Sequence, residues 1–186
     1  NYDTYNTEGM VSGPLGDSFA GRVSLRTEDS NEGWQKSNTR SEDLGEVHRY
    51  GLRAMLSFQP SERLDLNLSY NGWKINSDSL AAQALSLSPA TASSPFNAEG
   101  LSDYLANHQP NRSDEADWTP LSTRGVDIGT GLGLPGDLEE NSNLDAFALH
   151  ANYAIADDLR LVSLTGYQDM KRKGLTDFSG APYEIL

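Results

Sequence analysis

The stretch Leu64-Asp65-Leu66-Asn67-Leu68-Ser69-Tyr70 alternates apolar and polar residues at every position. Successive side chains of an extended strand point to opposite faces, so the leucines and the tyrosine share one face. The aspartate, the asparagine and the serine share the other face. This alternation is typical of a β-strand that has one apolar and one polar side.

The same period of two recurs along the chain. Apolar residues alternate through 19–28, 50–59 and 147–155, and less regularly through 4–13 and 159–168. In the last of these stretches both faces carry apolar side chains. Helical patterns are confined to two short stretches, 79–85 and 98–107. The sequence therefore predicts an all-β chain with about six strands.

The connections between these strands alternate in length. Residues 14–17, 60–63 and 156–158 form short connections with the Pro, Gly or Asp that tight turns favour. The other two connections, 29–47 and about 77–144, are long and polar. Outer-membrane barrels have short periplasmic turns and long extracellular loops. The alternation therefore predicts an antiparallel up-and-down segment of a transmembrane β-barrel.

In such a barrel the apolar face of each strand meets lipid and the polar face meets the lumen. Phe19 and Phe58 lie beside short connections, whereas Tyr70 and Tyr167 lie nearer the long ones. These are the levels at which two aromatic girdles would sit. Aromatic residues are also frequent in strands of every kind, which is the plainer interpretation.

Composition narrows the classes of partner. The 186 residues include 14 Lys and Arg against 27 Asp and Glu, a formal net charge of -13. Nucleic acid is not an expected partner, because phosphate binding needs a basic surface. The chain has no cysteine, so disulfides and thiolate metal sites are excluded. A membrane-spanning helix is not expected either, because no apolar run approaches about 18 residues.

No motif for chemistry is present in the sequence. It has no nucleophile elbow, phosphate-binding loop, paired-histidine helix or calcium loop. The three histidines, His48, His108 and His150, are far apart in the chain. We therefore expect no catalytic residues, no metal, no cofactor and no enzymatic activity.

Three hairpins in order resemble those of TonB-dependent outer-membrane receptors. The first barrel hairpin of that family is similar to Glu8-Gly9-Met10-Val11-Ser12-Gly13-Pro14-Leu15 followed by Phe19-Ala20-Gly21-Arg22-Val23-Ser24. The second resembles Gly51-Leu52-Arg53 with Phe58-Gln59-Pro60-Ser61 and Leu64-Asp65-Leu66. A family strand often ending in Ser-Ile-Thr-Gly-Tyr resembles Leu159-Arg160-Leu161-Val162-Ser163-Leu164-Thr165-Gly166-Tyr167, with Leu in place of Ile.

The resemblance implies a barrel of about 22 strands with a plugged lumen in the outer membrane of a Gram-negative bacterium. Residues 1–186 would form the N-terminal part of that barrel, just after the plug domain, which is absent with the remaining strands. Such receptors import a siderophore, haem, cobalamin or glycan, and the TonB complex supplies energy through the plug. The implied partners are outer-membrane lipid, the TonB complex and a small-molecule or glycan ligand.

Three arginines are candidates for contacts in the lumen. Arg22, Arg26 and Arg53 alternate onto the polar side of their strands. A charge in a lumen needs partners, and a plug domain would provide carboxylates and carbonyl oxygens. The alternative is a wall arginine that is solvated or paired with a neighbour.

Four further residues are candidates for ligand binding. Trp34, Trp73 and Trp118 lie in or near the long connections. Their rings could stack on a sugar or an aromatic ligand, or pack against the loop itself. His150 is expected on the polar face, as an ordinary wall residue or as a ligand or plug contact.

Two rival functions share parts of this pattern. A porin without a plug has the same alternation of short and long connections. A soluble, secreted glycan-binding β-protein could also be built from alternating strands, but it would have to bury their apolar faces inside the molecule.

Overall fold

The computed structural model describes residues 2–86, 98–108, 112–119 and 137–182. Nine strands and one helix lie within these ranges. The strands are β1 Thr4–Pro14, β2 Phe19–Ser30, β3 Gln35–Ser37, β4 Asp43–Leu44, β5 His48–Ser61, β6 Leu64–Asp78, β7 Glu115–Ala116, β8 Glu139–Ala156 and β9 Leu159–Gly174, and the helix is α1 Ala98–His108.

The six long strands form one antiparallel sheet in the order β1-β2-β5-β6-β8-β9. Each pairs with the next long strand along the chain, so the sheet is an up-and-down meander. The predictions of an all-β chain and of about six main strands are confirmed. Within the described residues the sheet is open, because β1 and β9 each pair on one side only.

The predicted short connections are confirmed as turns of four, two and two residues, at 15–18, 62–63 and 157–158. The predicted bounds of the longest loop, about 77–144, were wrong at both ends. Residues 77–78 still belong to β6, and β8 already begins at Glu139. Ser77 pairs with Glu140, so backbone pairing continues where the side chains are no longer apolar. The alternation of apolar residues in the sequence therefore cannot reveal that β6 and β8 extend this far.

One of the two helix predictions is confirmed. The stretch 98–107 lies in α1, whereas 79–85 is not helical. In that stretch the backbone N–H groups bond to distant segments instead of the preceding turn. The Ala81 N–H donates to Gln35 Oε1 over 2.9 Å, and the Ala82 N–H donates to the Asp177 carbonyl over 3.1 Å. Tertiary pairing therefore overrides a weak local preference.

Strand register places the alternating apolar residues on one side of the sheet, here called the apolar face. Phe19 lies opposite Phe58, which lies opposite Leu66, so apolar residues line up across strands. Their side chains remain largely accessible: Leu25 is 56% exposed and Phe147 is 47% exposed. The exposed members of this face include Val11, Phe19, Val23, Leu25, Tyr50, Leu52, Leu68, Phe147, Leu149, Tyr153, Ile155, Leu161 and Tyr167.

The two long connections fold together at one end of the sheet into a unit that we call the loop module. It comprises the described parts of 31–47 and 79–138, with 175–182. A small sheet in the order β4-β3-β7 joins the first long connection to the second. The module has two small cores: one contains Leu44, Ala81, Ala116, Trp118 and Leu138, and the other Leu101, Tyr104 and Ala181.

Asp117 is the polar centre of the loop module. Its carboxylate is fully buried and accepts hydrogen bonds from both long connections. Oδ1 accepts the hydroxyl of Ser37 over 2.5 Å, the hydroxyl of Thr39 over 2.9 Å and the N–H of Asn38 over 3.1 Å. Oδ2 accepts the Tyr104 hydroxyl over 2.7 Å. One buried carboxylate therefore joins β3, α1 and β7.

Gly45 has a backbone conformation that other residues rarely adopt, with a φ of 101°. A Cβ built there would lie 2.6 Å from Cδ1 of Trp34. The glycine thus lets the indole of Trp34 pack directly on the backbone. The N–H groups of Gly45 and Glu46 both donate to Asp78 Oδ2, which attaches this turn to the end of β6.

We predict that Asp117→Ala destabilises the loop module by about 3 kcal/mol, because it leaves several buried hydrogen-bond donors without an acceptor. Amide hydrogen exchange at Lys36 and Ser37 in the small sheet should accelerate accordingly. Asp114→Asn is the matched control, because Asp114 pairs with Arg112 on the surface. Equal acceleration in both variants would contradict a central role for Asp117.

Candidate functional site

The side of the sheet opposite the apolar face carries most of its charged and amide side chains, and we call it the polar face. In the register of β2 and β5, Arg22 lies opposite Met55, Ser24 opposite Arg53, and Arg26 opposite Gly51. The three predicted arginines therefore share the polar face, as expected from their spacing. All three side chains are exposed.

Gly51 lies at the centre of a small hollow on this face. Its cross-strand partners are Arg26 on β2 and Trp73 on β6, and its nearest same-face neighbours on β5 are Arg49 and Arg53. Adjacent strands lie about 4.8 Å apart, so Arg26 and Trp73 face each other over about 10 Å. We call these five residues the Gly51 hollow.

The space above Gly51 is open among the described residues. A Cβ built at this position would meet only the backbone oxygen of Arg26, at 4.0 Å. Three long cationic side chains and one indole thus surround a residue without a side chain. A glycine in the middle of a strand weakens it unless something approaches the backbone closely, so this position fits a site of close approach.

The positive charge of the hollow is only partly balanced. Arg49 Nη1 lies 3.6 Å from Glu28 Oε2. Arg26 and Arg53 form no ion pair or hydrogen bond with any residue that the structure describes, although Glu8 lies opposite Arg26 in the register. Close like charges on a sheet are unfavourable unless an anion neutralises them. Two unpaired guanidinium groups beside Gly51 are therefore available to an anionic partner.

Elsewhere, cations of the loop module have carboxylate partners. Arg112 forms an ion pair of 2.8 Å with Asp114 and holds the pKa of that carboxyl below its usual value, mainly through this hydrogen bond. Asp43 accepts a hydrogen bond from Lys36 Nζ over 2.5 Å, which raises the pKa of that ammonium group. Arg26 and Arg53 differ from these cations because neither forms an ion pair with a described carboxylate, although Glu8 lies opposite Arg26.

The remaining candidates lie outside the hollow. Trp118 is 1% exposed and the Arg40 guanidinium lies 5.4 Å from its ring centroid, so its indole packs within the loop module. Trp34 is half-buried against Gly45. His150 is on the polar face opposite Asn67, six residues along β8 from the partner of Trp73, about 20 Å away. Arg22 is four residues from Arg26, about 13 Å along β2.

The described ranges contain neither a metal-binding cluster nor a helix that could cross a membrane. No group of three or more His, Asp or Glu side chains there is arranged to hold a metal ion. The one described helix, α1, is too short and polar to cross a membrane.

Comparison of the chain with models of known protein families, with curated proteins and with solved structures finds no match. Function is therefore inferred from the geometry of the sheet.

Sequence reasoning missed Gly51 and Arg49 as members of the site. Arg49, Gly51 and Arg53 have the same parity on one strand, a signal present in the sequence. The approach of Arg26 and Trp73 from either side depends on register between strands, which the sequence does not reveal. The structure thus joins three of the predicted residues, Arg26, Arg53 and Trp73, through a glycine.

We predict that the three indoles differ in accessibility. A variant carrying Trp34→Phe and Trp73→Phe retains only the buried Trp118, and acrylamide should quench its fluorescence several-fold less than that of the parent. The Trp73→Phe single variant should lose an accessible component, because Trp73 is half-buried on an open face. Efficient quenching of Trp118 alone would contradict the packing described for the loop module.

Proposed function

We propose that this chain is a segment of an outer-membrane active-transport receptor of the TonB-dependent type. In this proposal the apolar face meets lipid and the polar face lines the lumen, where a scarce ligand binds before it is imported. The observation that carries the proposal is that one face of a six-stranded sheet carries a broad band of apolar side chains that are largely exposed. Soluble proteins rarely expose an apolar patch of that extent.

The height of the apolar band supports this orientation. On β5 it runs from Tyr50 to Phe58, nine residues, close to the 9–11 residues of a tilted bilayer crossing. Towards the loop module the same face becomes polar on β8 and β9, where Asp145 lies opposite Asp169, while Leu25 and Leu52 are still apolar in that row on β2 and β5. The change from apolar to polar within one strand is what the edge of a hydrocarbon layer requires.

Aromatic side chains lie near both ends of the band. Close to the short turns, the rings of Phe19 and Phe58 stack with centroids 4.1 Å apart. Towards the loop module, Tyr70 contacts Phe147 at 4.8 Å, and its hydroxyl donates to Asp145 over 2.6 Å. A tyrosine with its ring in the apolar band and its hydroxyl bonded in the polar zone suits a membrane interface.

The apolar face also has a groove of about 470 Å³ that could hold part of a lipid acyl chain. Gly13 and Ala54 provide the room, and Val11, Leu15 and Phe147 are among its borders. Lipid does not tolerate unpaired strand edges, so the proposal requires that the open edges of β1 and β9 be paired. Further strands from the same receptor would cover them.

We predict opposite tolerance to arginine at two adjacent exposed positions of β8. In lipid vesicles, Leu149→Arg should lower the free energy of unfolding of the full-length polypeptide by about 2–4 kcal/mol, because it places a charge in hydrocarbon. Ala148→Arg, on the polar face, should change it little. Tryptophan substitutions should give the same orientation. Brominated lipid should quench the fluorescence of the tryptophan introduced by Leu149→Trp but not that of the one introduced by Ala148→Trp. Similar costs for both arginines would exclude lipid contact on one face.

A second measurement separates a receptor from a passive porin. In planar bilayers, a plugged receptor should give no steady ion conductance, since the plug occupies its lumen. The full-length polypeptide should therefore leave the bilayer insulating, with a known open porin as the control. A stable open channel would replace the receptor proposal with that of a porin.

A further inference from the structure

We infer that the Gly51 hollow binds a carboxylate or phosphate group carried on a ring whose flat side stacks on Trp73. The inference deepens the proposed function, on which it rests for the access of a ligand to the polar face. It names the chemical class of the ligand, an acidic ring compound, and the residues that distinguish it from a neutral one.

The two unpaired arginines are placed to hold one anion together. Arg53 lies opposite Ser24, and Arg26 is two residues further along β2, so the two arginines are diagonal neighbours. Diagonal neighbours on a sheet have backbones about 7–8 Å apart, well within the reach of two arginine side chains. Each guanidinium presents N–H donors in a fork that matches carboxylate or phosphate oxygens. Both side chains are exposed and can turn towards the open space above Gly51.

Glu28 limits the anion to one side of the hollow. This carboxylate lies opposite Arg49 and pairs with it at 3.6 Å, so it neutralises the third arginine. A ligand carboxylate would be repelled close to Glu28, and also on the β1 side of Arg26, where Glu8 lies opposite it. One close to Arg53 would meet two arginines that form no ion pair with a described residue. Ser24 and Asn71, the cross-strand partners of Arg53, add neutral donors at that side.

The indole of Trp73 favours a ligand that carries a ring as well as a charged group. Its indole is half-buried and flanks Gly51 from the side opposite Arg26. A free inorganic anion would leave this surface unused. A ring that bears an acidic group could place the acid on the arginines and stack its flat face on the indole. Aromatic acids and sugar acids both have this shape, and the experiment below distinguishes them.

The size of the hollow favours a small ligand over a protein surface. Arg49 and Arg53 bound it along β5 about 13 Å apart, and Arg26 and Trp73 bound it across the strands over about 10 Å. That frame fits one or two rings. A stable protein contact buries about 800 Å² on each partner, far more than this frame offers.

The test uses the full-length polypeptide in detergent micelles and isothermal titration calorimetry. The probes are benzoate and glucuronate, their neutral counterparts benzyl alcohol and glucose, and inorganic phosphate. We expect one of the two ring acids to bind at least tenfold more tightly than its neutral counterpart and than phosphate. The preferred acid identifies an aromatic or a sugar ligand. Equal binding of acid and neutral compounds, or binding of neither acid, would overturn the inference.

Variants then locate the site. Arg26→Gln with Arg53→Gln should weaken binding of the preferred acid roughly 100-fold, about tenfold for each charge-assisted contact. The matched control is Arg160→Gln with Arg172→Gln, which removes the same charge from β9 on the same face. It should change affinity less than twofold. Equal losses in the two double variants would reduce the effect to general electrostatics and refute the site.

Three further variants keep the result interpretable if the glutamine variant folds poorly. Arg26→Lys with Arg53→Lys retains the charge but removes the forked donors, so it should weaken binding by an intermediate factor. Gly51→Leu should fill the hollow and abolish binding of either acid. Trp73→Ala should remove the preference for ring acids over phosphate. Unchanged affinity in Gly51→Leu would refute the location.

These outcomes are separable from those of the proposed function. Arginine-dependent binding of a ring acid, together with equal tolerance of arginine at 148 and 149, would support the hollow and refute the membrane orientation. Lipid contact at Leu149 without any ring-acid binding would refute the hollow and leave the membrane orientation standing.

Discussion

The register of the antiparallel sheet is the constraint on which both faces depend. If β2 slipped by one residue against β5, Phe19, Val23 and Leu25 would lie on the side of the sheet that carries Arg53. The β2 arginines, Arg22 and Arg26, would then lie on the apolar side. The two-residue turns at 62–63 and 157–158 help to set the registers of β5 with β6 and of β8 with β9, because such turns leave little slack between strands. The apolar band and the Gly51 hollow therefore come from the same pairing.

Much of this sheet could be predicted from local pattern, and the loop module could not. The alternation of 64–70 and its counterparts is visible at a period of two, and so are the short turns. The loop module depends on pairs such as Ser37 with Asp117, 80 residues apart in the chain. No local signal distinguishes Asp117 from any other loop aspartate. Its role appears only when the donors of two distant connections surround it.

The candidate site shows the same division between local and long-range information. Parity along β2 and β5 correctly places Arg22, Arg26 and Arg53 on one face. Which arginines come together depends on pairing across strands, so Arg22 separates from the other two while Trp73 joins them. The three tryptophans look alike in the sequence, because burial of an indole within a loop is a property of tertiary packing. The structure separates them into one on the sheet and two in the loop module.

The loop module and the Gly51 hollow are connected through the strand ends. The Val47 N–H donates to Ser30 Oγ over 2.8 Å, and the His48 N–H donates to Ser77 Oγ over 3.1 Å. Both acceptor residues are buried, so these bonds hold the module on β2, β5 and β6 just beyond the Arg49 row. Moving the module away from the sheet would break these bonds together. In the described part of the chain the loop module is therefore fixed to the ends of the strands that carry the Gly51 hollow.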